Sequence, residues 1–403
     1  MDDRHPKIVV YSSLFPHTGL PNAGVFIRER MFRLGKELPI IVVSPQPWFP
    51  GQRFIRYFKP YFRPSAPQLD IQSEVNIIYP KFFSFPGLFK YLDGLFMALG
   101  SYLTIRRLIK QNGFNILDAH FAYPDGYSAA LLGRWLGVPV TITLRGTEVR
   151  HSQVPKLYPK LIHALNNANR IFSVSESLRR HAISLGIPPE KIIVVGNGVD
   201  MKKFSPLPKA EARRQLGLSD VDRVLISVGG LVERKGFHRV IEILPRLLKE
   251  FPDLKYLIVG GSSPEGDWRE RLLQQVKNLK LDDVVIFLGA MPSDKLKTPL
   301  SAADIFVLAT SNEGWANVFL EAMACGLPVV TTDVGGNREV VCRNELGIVV
   351  PYGDAASLES ALASALKQRW DKATILSYAS ENSWDSRVVV LKNAFEELVA
   401  DEK

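Results

Sequence analysis

Cysteine is scarce in this 403-residue chain: Cys325 and Cys342 are its only two. A pair at that spacing makes neither a disulfide framework nor a metal site, so both are expected to lie reduced and buried. Long apolar runs are missing as well. A membrane span needs about 18 residues, and the longest candidate, Gly94 to Ile105, is short and carries Ser101 and Thr104. The opening Met1-Asp2-Asp3-Arg4-His5-Pro6 has no basic and then apolar stretch, so it does not read as a signal peptide. No GxGxxG follows a strand-like run, which argues against a Rossmann dehydrogenase. There is no internal repeat, no low-complexity segment and no recognised nucleic-acid-binding motif. What remains is a cytoplasmic enzyme with no metal cage, no cofactor and no nucleic-acid partner.

The composition that is present, 46% hydrophobic and 23% charged, suits a soluble globular protein. The length fits two domains better than one. Net charge is +9, unevenly placed: residues 1–200 carry +11 and residues 201–403 carry −2. The first half therefore either faces something anionic or carries a solvated basic surface.

Short β-rich runs alternate with helical ones throughout. In the first half Lys7–Tyr11, Ile40–Ser44, Val75–Tyr79, Ile116–Ala119, Val138–Leu144, Arg170–Val174 and Ile192–Val195 read as strands. In the second, Val224–Val228, Tyr256–Val259, Val284–Leu288, Ile305–Ala309, Val329–Thr332 and Ile348–Val350 do the same. Apolar strands alternating with helices mean parallel sheets covered on both faces. Two such blocks give an α/β protein of two doubly wound domains, with ligands expected outside the carboxyl ends of the strands, in a cleft between domains. The joint is expected between Asn197 and Leu218, with Phe204-Ser205-Pro206-Leu207-Pro208 as linker.

The segment Glu313-Gly314-Trp315-Ala316-Asn317-Val318-Phe319-Leu320-Glu321 is the most informative. Its first carboxylate sits in a turn after a strand, and its second sits in the following helix. The first N–H groups of a helix have no partner within it, so strand, turn and helix make an anion site. Carboxylates beside that site can accept hydrogen bonds from hydroxyls. Phosphate flanked by hydroxyls describes a nucleotide sugar.

Other segments stand at strand ends. Gly229-Gly230-Leu231-Val232-Glu233-Arg234-Lys235-Gly236 lets backbone approach phosphate and brings two cations, or is a glycine turn with solvated charges. Asn197-Gly198 suits a tight turn. His120 ends a strand, where it is either packed or able to meet a sugar hydroxyl. Arg145-Gly146-Thr147-Glu148 follows another: Arg145 could meet a phosphate and Glu148 an acceptor, or the two could pair with each other.

Between Trp48 and Tyr91 stand 13 aromatics in 44 residues. Phe54, Tyr57, Phe58, Tyr61 and Phe62 share a helical stripe with Arg53, Arg56, Lys59 and Arg63 opposite, although Pro60 would kink it. Such a stripe is either a membrane-interface element or ordinary core and acceptor-site wall.

These motifs resemble glycosyltransferase family 4, retaining nucleotide-sugar transferases with two facing Rossmann-like domains (the GT-B fold). The resemblance covers nearly the whole chain and is strongest from Asp304 to Gly336. It rests there on Glu313 and Glu321 with seven residues between them, Glu321-Ala322-Met323-Ala324-Cys325-Gly326-Leu327-Pro328, and Gly335-Gly336-Asn337-Arg338-Glu339. Asn197-Gly198-Val199-Asp200, Lys235-Gly236, His120 with Asp125-Gly126, and Val174-Ser175-Glu176 match too, as does the glycine loop Asn22-Ala23-Gly24-Val25-Phe26.

The resemblance implies roles. Glu321 holds the ribose hydroxyls, and Glu313 contacts the donor sugar near the reacting centre. Backbone from Gly314 through Trp315, Ala316, Asn317 and Val318 meets sugar and diphosphate. Lys235 neutralises the diphosphate, and His120 binds the sugar from the other domain. Backbone at Leu288, Gly289 and Ala290 brackets the base. Gly24, Asn197 and Arg234 belong to the donor site, and Arg145 and Glu148 are acceptor or phosphate contacts. Many relatives carry an arginine where this chain has Gly230, and Arg234 is its candidate substitute.

The expected division is 1–198 for an acceptor-binding domain, rejoined by a helix at 384–403, and 199–383 for a donor-binding domain. The expected activity is hexose transfer from a UDP- or GDP-sugar to a glycan or lipid-linked acceptor. An anionic membrane surface on the inner face of the cell membrane is the expected partner of the first domain. A nucleotide-sugar epimerase and a non-catalytic nucleotide-sugar-binding protein are the rivals.

Overall fold

The computed structural model describes residues 5–21, 23–58, 62–263 and 265–400. The chain forms two compact units. One runs to Asn197 and resumes at Trp384; the other is Gly198–Ser383.

In the first unit the strands are β1 (Ile8–Tyr11), β2 (Ile40–Val43), β3 (Gln46–Trp48), β4 (Leu69–Gln72), β5 (Val75–Ile78), β6 (Lys81–Phe83), β7 (Ile116–His120), β8 (Val140–Leu144), β9 (Arg170–Ser173) and β10 (Ile192–Val194). Eight of them make one sheet in the order β10-β9-β8-β7-β1-β2-β5-β4, and β3 pairs with β6 separately. Among the described residues, β4–β5 is the one antiparallel pairing between strands of this unit. Every residue of β1, β7 and β8 is buried, as strands covered by helices on both faces must be.

The helix Trp384–Ala400 completes this unit. It buries Trp384, Val388, Leu391, Ala394, Phe395 and Leu398, and Phe395 meets Phe172 of β9 edge-on, ring centroids 5.5 Å apart. Its neighbour Val25–Leu34 starts from Gly24, held at φ 67°. A Cβ on Gly24 would lie 2.3 Å from the Leu14 carbonyl oxygen, so both the conformation and the space call for glycine.

The second unit is a six-stranded parallel sheet of β11 (Arg223–Val228), β12 (Leu254–Val259), β13 (Val285–Gly289), β14 (Ile305–Leu308), β15 (Val329–Thr332) and β16 (Gly347–Val350), ordered β13-β12-β11-β14-β15-β16. The helix Phe237–Glu250 buries Phe237, Val240, Ile241, Ile243, Leu244 and Leu247 at helical spacing.

Three expectations change. The segment 204–208 is not a free linker: Phe204 is buried in the second unit's core, and the Leu207 N–H bonds Ser301 Oγ at 3.0 Å. Cys325 is buried, but Cys342 is exposed. The aromatic stripe is a short helix, Gln52–Phe58, with Phe54, Tyr57 and Phe58 turned to solvent. Arg56, on the basic side of that stripe, donates from Nε to the Arg63 carbonyl at 3.0 Å. Lys59, Pro60 and Tyr61 lie outside the described residues, as does Asn22 of the glycine loop. Among the described residues no helix is long and apolar enough to cross a membrane.

Candidate functional site

In the second unit the loops leaving β11 and β14 are clamped together. The Ser311 N–H bonds the Arg234 carbonyl at 2.7 Å. Gly236, at φ 75°, lets the β14 loop pass so close that a Cβ would lie 1.9 Å from the Ala309 oxygen. This contact aims Lys235 at Glu313, Nζ to Oε1 2.6 Å, with the two side chains only 14% and 9% exposed. Arg234 reaches the same Oε1 at 3.1 Å and Thr310 Oγ1 reaches it at 3.2 Å. Arg234 also grips Glu265 with two nitrogens, at 2.6 and 2.8 Å. The carboxylates, Glu265 first, push the Arg234 pKa up. Two cations thus face two carboxylates.

Glu313 is pinned from behind. Its carbonyl accepts the Gly336 N–H at 3.2 Å, and a Cβ on Gly335 would stand 1.7 Å from that oxygen. The following helix, Asn317–Ala324, has no acidic residue in its first turn to compete for its N–H groups. Gly314, Trp315, Asn317, Val318 and Glu321 are half-buried around it, and Ala316 is buried. The Trp315 indole N–H is buried without a hydrogen-bond partner. Leu288 and Gly289, both half-buried, end β13.

In the first unit the ends of β7 and β8 carry a second constellation. His120 is fully buried. Its Nε2 faces Asp118 Oδ2 at 3.4 Å, and its Nδ1 meets Arg145 Nη2 at 2.9 Å. Guanidinium can only donate, so Nδ1 accepts and the ring is neutral with its proton on Nε2. Burial pushes its pKa down to about 4, against the pull of Asp118. Arg145 also donates to Asn197 Oδ1 at 3.2 Å and stacks over Phe26, 4.8 Å from the ring centroid. The Gly24 loop, His120, Arg145 and Asn197 therefore meet.

Glu148 does not pair with the Arg145 side chain. Its buried carboxylate accepts backbone N–H groups of Ala122, Arg145 and Gly146 at 3.2, 3.2 and 2.7 Å. It fixes the loops that present His120 and Arg145. Asp125, also fully buried, accepts the Ser13 N–H at 3.1 Å and the Ser13 hydroxyl at 2.7 Å. Burial pushes its pKa up to about 7.

Residues 208–383 match the family described as Glycosyl transferases group 1, and residues 61–203 match Glycosyltransferase Family 4. A Mycolicibacterium smegmatis protein, GDP-mannose-dependent alpha-(1-6)-phosphatidylinositol monomannoside mannosyltransferase, is 30% identical over 65% of this chain and 70% of its own length. The chain belongs to glycosyltransferase family 4. A candidate teichuronic acid biosynthesis glycosyltransferase of Bacillus subtilis, TuaC, is 27% identical over 90% of each chain. The Anabaena protein Alr3699/HepE, solved in complex with UDP, superposes with a TM-score of 0.71 at 21% identity, over 98% of this chain and 100% of that one. That likeness shows the fold, GT-B, built from two Rossmann-like units.

Two further residues of this glycosyltransferase are absent from the expected set. Glu265 meets Arg234 across 31 positions with no local signal. Arg30 did leave one: it shares the buried face of its helix with Ile27, Met31 and Leu34. Its guanidinium lies 5.7 Å from the Phe172 ring centroid with no hydrogen-bond partner, and burial pushes its pKa down to about 10. At Gly230 a Cβ would come 3.1 Å from Ser263 Cβ.

Proposed function

We propose that this glycosyltransferase moves a hexose, with retention, from a UDP- or GDP-sugar to a hydroxyl of a lipid-linked glycan of the cell envelope. It would work at the cytoplasmic face of the membrane as a peripheral protein. The observation that carries the reading is the Lys235–Glu313–Arg234 cluster beside the N-terminus of helix Asn317–Ala324. Breaking the anomeric bond builds negative charge on the diphosphate and positive charge on the sugar. Lys235 and the helix N–H groups would stabilise the first. Glu313, fixed through its own carbonyl, would orient the sugar and offset the second. Glu321 would hold the ribose. In this mechanism the acceptor attacks on the leaving-group face and a diphosphate oxygen takes its proton, so Glu313 is not a covalent nucleophile.

Four observations support donor and acceptor. The HepE protein has been solved with UDP-glucose. The M. smegmatis relative is named for GDP-mannose and a phosphatidylinositol monomannoside, and the B. subtilis one for teichuronic acid. In the first unit, the hydrogen bonds described for the Arg145 side chain go to neutral acceptors, His120 and Asn197, while the Asp118 and Glu148 carboxylates also favour its charge. Its charge would be available to an acceptor phosphate.

The test is transfer from a panel of UDP- and GDP-sugars to short-chain polyprenyl diphosphate glycans, with the product anomer read by NMR. The expected product keeps the donor's α configuration. Glu313→Gln should lower kcat and Glu321→Ala should mainly raise the donor KM. An inverted product, or isomerised sugar formed from donor alone, would overturn the reading.

A further inference from the structure

We propose that an apolar slot on the first unit, walled by Phe83, Phe85, Leu88, Phe89, Leu92 and Phe96, takes the hydrocarbon chain of a phosphate-bearing lipid. This rests on the lipid-directed part of the proposed function and names where that lipid would be held. The slot has a volume of about 180 Å³. Its two walls meet where Phe83 of β6 packs edge-on against Phe96, centroids 5.5 Å apart. Four of the lining side chains, Phe83, Phe85, Leu88 and Phe89, are 42–59% exposed. So much adjoining apolar surface marks a site of contact rather than scattered surface residues.

Phe89 adds an independent sign. It sits at φ 53°, in the left-handed region that costs a side chain with a Cβ. The cost is not recovered by burial, since the ring stands 59% exposed. Strain of this kind persists where function uses it. The occupant's charge is set by the rim. Ser84 and Asp93 line the slot, and Arg63 donates to the Ser84 carbonyl at 2.7 Å. Lys90 donates to the Ser84 hydroxyl at 2.9 Å and to Asp93 at 2.9 Å. Two cations against one carboxylate leave the rim positive, which suits a phosphate.

The surface continues along helix Asp93–Asn112. Phe96, Leu99 and Leu103 follow at helical spacing, the last two 56% and 74% exposed, and then come exposed Arg106, Arg107 and Lys110. An apolar strip ending in cations matches the boundary between acyl chains and anionic headgroups. A helix about 10 Å across does not fit so small a slot; a single extended chain does.

The test titrates the full protein by calorimetry with decyl phosphate below its micelle concentration, butyl phosphate and decyltrimethylammonium. Decyl phosphate should bind at least tenfold more tightly than either control. Phe89→Gly, which removes the ring and relieves the left-handed residue, should weaken decyl phosphate at least fivefold while leaving the melting temperature equal or higher. Leu88→Glu, at an exposed position, should weaken it as much. Equal binding of butyl phosphate, or unchanged affinity in both variants, would overturn the proposal. So would a concentration-dependent dimer that Leu88→Glu abolishes, because the slot would then be an interface between copies. Failure here with intact binding to phosphatidylglycerol vesicles leaves the lipid-directed reading standing. Failure of sugar transfer with decyl phosphate still bound removes that reading alone.

Discussion

At the scale of single residues, His120 shows how burial redirects a motif. Histidine at a strand end suggests a group that titrates near neutrality or touches a sugar. Here the ring is sealed between Asp118 and Arg145, and burial holds its pKa near 4. We propose that it serves as a positioning residue for the Arg145 guanidinium, which it meets at 2.9 Å. The kcat/KM profile should therefore show no limb near pH 6–7 that belongs to His120. His120→Ala should slow transfer about 10- to 100-fold at every pH from 6 to 9, and Arg145→Lys should raise the acceptor KM, as expected when one hydrogen-bonded positioning contact is lost. A limb near pH 6.5 that vanishes in His120→Ala would show that the ring titrates and works directly.

At the scale of elements, two pairs of loops hold the candidate groups. In the second unit the Gly335-Gly336 turn presses on Glu313. Gly335→Ala adds a Cβ inside contact distance at a positive φ, so the turn must move and Glu313 with it. The expected cost is about 2 kcal/mol or more of stability, read by urea denaturation, with donor affinity falling as well. In the first unit His120 and Asp125 oppose each other in pH. His120, lowered from 6.5 to about 4, adds stability above pH 6.5 that is lost as pH falls toward 4. Asp125, raised from 3.8 to about 7, adds stability below pH 4 that is lost as pH rises through 7. Asp125→Asn should unmask the histidine. Its stability relative to the parent should grow between pH 4 and 7 by on the order of 3 kcal/mol; parallel curves would rule the argument out.

Legibility in the sequence also follows element type. The six strands of the second unit and seven of the first are legible as short runs rich in apolar and β-branched residues. β3, β4 and β6 are not: Leu69 and Ile71 of β4 face solvent, and β3 and β6 are three residues each. The helix Phe237–Glu250 carries a clear apolar face in its sequence, whereas Tyr158–Asn167 has Pro159 in its first turn. The candidate site was half legible. Local motifs give Lys235, Glu313 and Arg145, whereas Glu265 meets Arg234 only through a contact between distant segments.

At the scale of the whole molecule, the chain leaves its first unit at Asn197 and returns to it at Trp384. The returning helix supplies Val388, Leu391, Ala394, Phe395 and Leu398 to the first unit's core. Burying such side chains contributes roughly 1.5–3 kcal/mol each as an upper estimate. Their sum is comparable with the whole margin of about 5–15 kcal/mol that keeps a domain folded. Truncation after Ser383 should unfold the first unit, seen as rapid proteolysis within residues 5–197, while 198–383 stays protected.

The surplus of positive charge in residues 1–200 belongs to the same scale. The central claim, however, is that the second unit binds a nucleotide sugar through Lys235 and Glu313. Calorimetric titration of parent and Lys235→Ala with UDP-glucose and GDP-mannose tests it most directly. The account predicts that the parent binds at least one of them and that Lys235→Ala weakens binding by about 10²-fold, the scale of one charge-assisted contact to phosphate. Equal affinity in parent and variant would contradict it.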